Sequence, residues 1–265
     1  MADLRLYMFE SGTLKTQLQH IKMNQGLGDD YTIPVPWFLI THPKGNVIID
    51  GGNAAECVTD PYGHWGRVTK IFFPQMTAEQ ACVPQLQALG IDLGTIRYVI
   101  QSHLHLDHTG ALAAFESFPD AKVIATRREY EYAHAPDRVS SAGYIKADFA
   151  KPGIEWFLLD SYEDGWDVFG DGTLRCWHSP GHTPGHQSFE VTLPASGSML
   201  LTVDAAYTLD HWEGKALPGS MTSAVETSRS VAKLRRIADR SGSTVVTGHD
   251  PEAWPEFRKA PEFYD

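Results

Sequence analysis

Short apolar runs broken by polar turns recur along the whole chain, and their spacing predicts alternating strands and helices. Strands are expected at residues 4–9, 37–41 and 46–50, the last running into Asp50-Gly51-Gly52. Thr77 and Gln80 have the spacing of a capping box, so a helix should start there and run to Gly90, with Pro84 shifting its start or bending it. Residues 96–101 read as a strand that leads directly into Ser102-His103-Leu104-His105. A helix over 110–117, a strand over 122–126 and a short helix over 128–134 follow.

In the second half, strands are expected at 156–160, 174–177, 189–193 and 199–203, the last ending at Asp204. Val225, Val231, Leu234 and Ile237 are spaced for a helix over 222–239, and a final strand over 244–247 meets Gly248-His249-Asp250. This order predicts an α/β fold, and nothing in the pattern divides residues 1–265 into more than one domain. Residues 17–31, 53–70 and 135–154 lack clear periodicity, as functional loops do.

Composition narrows the partners. Hydrophobic residues make up 42% and charged residues 21%, ordinary for a globular enzyme. The formal net charge of -11 works against binding nucleic acid or an anionic membrane surface, and leaves a small molecule as the easier partner. Cys57, Cys82 and Cys176 form neither a disulfide framework nor a metal knuckle, so they are expected as small buried hydrophobes. Charges within the first residues argue against a signal peptide, and no apolar run has the length of a membrane span, so a cytoplasmic protein is expected.

Chemistry concentrates where strand-like runs stop. His103-Leu104-His105-Leu106-Asp107-His108 places four imidazole or carboxylate groups in one turn. These are the usual zinc donors when sulfur is absent. Four ligands are too many for one open catalytic ion and too few for two. His182 in a Pro/Gly turn, Asp204 at a strand end and His249 at another complete the set. Seven groups divide between two ions, with Asp204 the natural bridge because a carboxylate offers one oxygen to each.

This order of residues resembles the metallo-β-lactamase superfamily, whose signature is HxHxDH, then a histidine, a bridging aspartate and a last histidine. The resemblance covers nearly the whole chain, beginning at the Asp50-Gly51-Gly52 turn. It implies an αβ/βα sandwich of two mixed sheets with outer helices, and two Zn2+ at one edge. By position, His103, His105 and His182 would hold one ion, Asp107, His108 and His249 the other, with Asp204 shared.

Within the superfamily, residues 180–188, 200–208 and 248–250 look most like the N-acyl homoserine lactone hydrolases, the quorum-quenching lactonases. The short tail after His249 is unlike the glyoxalase II branch. Leu106 stands where such lactonases often carry an aromatic residue. The implied reaction is lactone-ring opening by a metal-bridging hydroxide, with Tyr207 polarising the carbonyl and Asp107 as general acid. Other lactones such as 4-pyridoxolactone, carboxylesters and thioesters are the alternative substrates, and a non-catalytic metal-binding protein is the alternative class.

His186 and Asp250 are candidates to orient ligands, whereas His20, His42, His64, His134, His178 and His211 have no matching context and read as surface or packing residues. Trp37, Trp65, Phe72, Phe73 and Met76 offer an apolar lining for the substrate. By analogy with related lactonases, a homodimer packed through residues 17–31 and 53–70 is expected.

Overall fold

The structure, a computed structural model, describes residues 3–160 and 165–265. Two sheets face one another. The first contains β1 (Arg5–Gln17), β2 (Asp30–Thr41), β3 (Asn46–Ile49), β4 (Phe73–Gln75), β5 (Ile96–Ile100), β6 (Lys122–Thr126) and β7 (Trp156–Leu159), in the order β4-β1-β2-β3-β5-β6-β7. The second contains β8 (Trp166–Asp167), β9 (Leu174–His178), β10 (Gln187–Leu193), β11 (Gly197–Val203) and β12 (Thr244–Thr247), in the order β12-β11-β10-β9-β8. Both sheets are mixed: β3, β5, β6 and β7 run parallel, as do β11 and β12, and the remaining pairs are antiparallel. The αβ/βα sandwich follows from this order and the helices outside it.

The period of two in each strand sorts side chains between two environments. Leu6, Met8, Phe38, Ile40, Val47 and Ile49 point inward and meet Phe189, Val191, Met199 and Leu201 of the facing sheet. Their neighbours Tyr7, Phe9, Trp37, Leu39 and Ile48 point outward and are covered by Leu86, Leu112, Phe118 and Phe149. On the far side, Leu200 and Trp177 are covered by Leu234, Ile237 and Ala238 of the helix Ala224–Ser241. Each side chain buried in this way stabilises the fold by roughly 1.5–3 kcal/mol relative to exposure. Cys57, Cys82 and Cys176 are buried free thiols within these layers.

Several elements differ from the pattern's expectation. β1 and β2 are far longer than the apolar runs at 4–9 and 37–41, because Pro34 and Pro36 mask the start of β2. Of β2, β3 covers only Phe38–Ile40, so the edge of β2 away from β1 is open at the prolines. The Pro34 carbonyl faces that open side, where it accepts from His249 Nδ1 at 2.8 Å. Since a strand residue's N–H and C=O point the same way, the missing N–H costs no bond to β1.

The helix expected from Thr77 to Gly90 is two pieces, a capped turn Ala78–Gln80 and a helix Cys82–Ala88 that has Pro84 in its first turn, where no N–H partner is needed. The stretch 110–117 likewise divides into Gly110–Ala113 and Phe115–Ser117. Val225 is 60% exposed, since it lies off the face that carries Val231, Leu234 and Ile237. The short strands β4 and β8 carry no readable alternation. The aperiodic segments 53–70 and 135–154 hold one- and two-turn helices. Among the described residues, no helix is long and apolar enough to cross a membrane.

Candidate metal centre

All seven predicted side chains converge at one edge of the sandwich. His103, His105, Asp107 and His108 occupy the turn after β5; His182 follows β9; Asp204 follows β11; His249 follows β12. The turn after β5 is held from below. Gly110 N donates to Gly52 O at 2.7 Å, and a Cβ on Gly110 would sit 2.4 Å from Gly51 O, so only glycine permits this approach. Asp204 follows Val203, whose φ of 46° is rare for a β-branched residue and coincides with a register shift between β11 and β12. That bend turns the aspartate out of the sheet and into the cluster.

Ligating atoms gather in three overlapping groups, each with its members within 4.8 Å of one another: His103, His105 and His182; His103, His108 and Asp204; and Asp107, His108 and His249. His182 Nε2 lies 2.9 Å from His105 Nδ1 and 3.1 Å from His103 Nε2. Asp204 Oδ2 faces the first group, 3.2 Å from His182 Nε2, and its Oδ1 faces the last, 3.1 Å from His249 Nε2 and 3.5 Å from His108 Nε2. Asp107 stands 3.6 Å from His249 Nε2 and 3.7 Å from His108 Nε2.

The remote ring nitrogens decide what the inward atoms can do. His108 Nδ1 donates to Asp50 Oδ2 at 2.9 Å, His249 Nδ1 to Pro34 O, and His182 Nδ1 to Ser220 O at 3.1 Å. His103 Nδ1 meets Ser102 Oγ at 2.9 Å, and that hydroxyl already donates to Asp50 Oδ2, so it accepts from the ring. In four histidines the proton is thus committed outward, leaving the Nε2 lone pair facing in. Where two of these lone pairs face one another, as His103 Nε2 and His182 Nε2 do at 3.1 Å, they repel, and no proton lies between them to turn the contact into a bond.

Burial holds His105 and His182 down to about 3, so they stay neutral. The buried atoms His108 Nε2 and Asp204 Oδ1 have no hydrogen-bond partner. A cation between such donors resolves the arrangement, and an all-nitrogen and oxygen set of this kind suits zinc and similar divalent ions.

Two residues orient the cluster in a way the sequence did not disclose, although Asp50 stands out in it as the first residue of the Asp50-Gly51-Gly52 turn. The Asp50 carboxylate, buried at the end of β3, accepts from Ser102 N at 2.7 Å, Ser102 Oγ at 2.8 Å and His108 Nδ1. Glu129, also buried, accepts from Leu104 N at 3.0 Å, Thr183 Oγ1 at 2.6 Å, Gly185 N at 3.2 Å and Tyr144 OH at 3.2 Å. One carboxylate therefore ties the His103–His108 turn to the turn that carries His182. Thr126 caps the helix Arg127–His134, its Oγ1 accepting from Glu129 N at 3.1 Å, but nothing local in the sequence marks the inward aim of the glutamate.

His186 supports the centre through the backbone, its Nε2 accepting from Asp204 N at 3.1 Å. Asp250 instead accepts from Leu209 N, Glu252 N and Ala253 N, and so shapes the loop behind Tyr207 without facing the cluster. His211 and His42 are buried packing residues, bonded to Ile21 O and paired with Asp171.

The cluster forms the floor of a cavity of about 290 Å³. Tyr207 stands in its wall, its hydroxyl 3.0 Å from His182 Nδ1 and donating to Ser220 O at 3.3 Å. Burial, Asp204 and Asp107 hold the phenol well above its ordinary range, so it keeps its proton. Leu14, Ile21, Ile33, Val68, Ile71 and Phe72 make one apolar wall. Of the expected lining aromatics, only Phe72 is there. Trp37 stacks on Phe9 at 4.1 Å in the outer layer, Trp65 and Met76 pack in a neighbouring core cluster, and Phe73 is directed to solvent. Leu106 lines the cavity next to Asp107.

Residues 31–249 match the metallo-beta-lactamase superfamily, and the chain belongs to it. It is similar along its entire length to particular members. It shares 60% identity with the N-acyl homoserine lactonase AttM of Azorhizobium caulinodans and 59% with that of Agrobacterium fabrum, with 100% of both chains covered in each case. Among solved structures, it resembles an N-acyl homoserine lactone hydrolase with the product N-hexanoyl-L-homoserine bound at its catalytic metal centre (TM-score 0.87, 26% identity, covering 99% of this chain and 100% of that one).

Proposed function

We propose that this protein opens the lactone ring of N-acyl homoserine lactones by hydrolysis at a two-zinc centre. The observation that carries the reading is the seven-donor cluster at the floor of a cavity whose walls are otherwise uncharged and largely apolar. Such a site suits a neutral substrate with a carbonyl at one end and an apolar chain at the other. End-to-end similarity to lactonases of this kind supports the same reading. His103, His105 and His182 would hold one ion, Asp107, His108 and His249 the other, and Asp204 both. When bound, the pair supplies Lewis acidity and a hydroxide nucleophile at neutral pH.

The chain's own groups carry the remaining work. The protonated hydroxyl of Tyr207 donates to the lactone carbonyl oxygen as negative charge develops on it. Asp107, at the cavity floor, takes the proton released by the attacking water and hands it to the ring oxygen as the carbon–oxygen bond breaks. The balance is one water consumed and one acyl homoserine formed. Leu106 and the wall opposite exclude bulk water from the reacting carbonyl.

A pH-release assay over short- and long-chain N-acyl homoserine lactones, an aromatic lactone, a thioester and a β-lactam tests the reading. Turnover should be greatest with the homoserine lactones and absent with the β-lactam; the reverse order would end it. Tyr207→Phe is expected to lower kcat by ~10- to 1000-fold with metal content unchanged, and a wild-type rate would remove the phenol from the reaction. Asp107→Asn should keep appreciable metal and lose turnover by on the order of 100-fold or more. Unchanged turnover in that variant would assign proton transfer elsewhere.

A further inference from the structure

The turn over residues 137–143 contributes Val139, Ser140, Ala142 and Gly143 to the lining of the cavity. Val139 is 90% exposed, an unusual place for a branched apolar side chain in a tight turn, where polar residues prevail. Its position is nevertheless fixed. The Asp137 carboxylate accepts from Val139 N at 2.7 Å, Ser140 N at 3.1 Å and Ser140 Oγ at 3.0 Å, and is also bonded by the Tyr132 hydroxyl. Ser141 N closes the turn on Asp137 O at 3.0 Å. In the same lining, Ile71 is likewise left 45% exposed. The turn Ser140–Gly143 and the turn Gly66–Lys70, which precedes Ile71, approach one another at the cavity's edge.

We propose that Val139, together with Ile71 of the same lining, grips the acyl chain of the substrate and sets a preference for longer chains. The inference rests on the lactonase reading above and adds to it the residue that discriminates chain length. The metal-facing side chains hold the ring at the floor, so the distance to the mouth decides which chains reach Val139. A short acyl group ends against Leu106 and the inner wall, whereas a longer one passes between Val139 and Ile71 and covers apolar surface that water otherwise meets. Besides the metal-facing groups, no charged side chain lines this cavity among the described residues, which fits an uncharged tail.

The test is a chain-length series from N-butanoyl to N-dodecanoyl homoserine lactone with wild type, Val139→Ser, Val139→Ile and Asp137→Ala. Val139→Ser should raise KM on the order of tenfold for the longest chains, leaving kcat and the butanoyl KM nearly unchanged. Val139→Ile should restore the long-chain KM. Asp137→Ala, which unties the turn, should reproduce the loss through a different residue. An equal change at every chain length, or none, would overturn the assignment of Val139. If the wild type opens no member of the series, the lactonase reading fails and this inference with it; a series that is opened with a flat Val139→Ser ratio removes only the inference.

Discussion

Asp204→Asn is expected to leave a folded protein that binds less than two equivalents of metal and has lost lactone hydrolysis by at least on the order of 10²–10³-fold. Each oxygen of this carboxylate faces a different histidine group, His182 on one side and His108 and His249 on the other. The amide keeps the shape but gives up the negative charge, and its NH2 replaces one of the two oxygens with a group that has no lone pair to offer a cation. Metal analysis and the pH-release assay on the same preparation read the two effects together. Chelation gives a second readout. For the wild type, stripping tightly bound metal should lower Tm by on the order of 10 °C, and that difference should shrink sharply in Asp204→Asn. A variant with two equivalents and full turnover would exclude the bridging role.

The second large effect is expected at Glu129, which no part of the proposed reaction touches. Glu129→Ala strands the donors of Leu104 N, Gly185 N, Thr183 Oγ1 and Tyr144 OH in a buried space. Unsatisfied donors of this kind cost ~1–3 kcal/mol each where no water replaces the lost partner. A loss of several kcal/mol in total is expected, measurable by urea unfolding of the metal-loaded protein. Glu129→Gln keeps the volume and one acceptor oxygen and should fall between the two. Because Leu104 lies between His103 and His105, and Thr183 follows His182, both variants should also weaken metal affinity by ~10- to 100-fold. Wild-type stability and affinity in Glu129→Ala would show that the two turns are held by other contacts.

These two aspartate and glutamate positions mark the limit of what the sequence disclosed. Asp204 was legible because metal chemistry admits few residue types, and because an acidic residue at the end of an apolar run is conspicuous. His103, His105, Asp107, His108, His182 and His249 were legible for the same reason. The strands themselves were legible too, since short apolar runs such as 37–41 and 199–203 mark buried strands without tertiary information, although they do not say which face meets which layer.

Glu129 was not, because its function is to satisfy backbone groups of two turns that are remote in sequence. The cavity wall was legible only at Phe72, because Leu14, Val68, Val139 and Met221 reach the same cavity from separate segments, each unremarkable by itself. The aromatic residues that looked suited to that wall were drawn into the layers instead, where Trp37 finds Phe9. Prolines misled twice for one reason: Pro34 and Pro84 occupy positions where the absent N–H had no partner to lose.

The placement of the centre has a consequence beyond turnover. The turn after β5 extends from one sheet, whereas His182, Asp204 and His249 extend from the other. Ions held there would act as rivets across the seam of the sandwich. A cell short of metal would then lose this protein twice, first as an idle enzyme and then, with its edge unfastened, as a substrate for proteases.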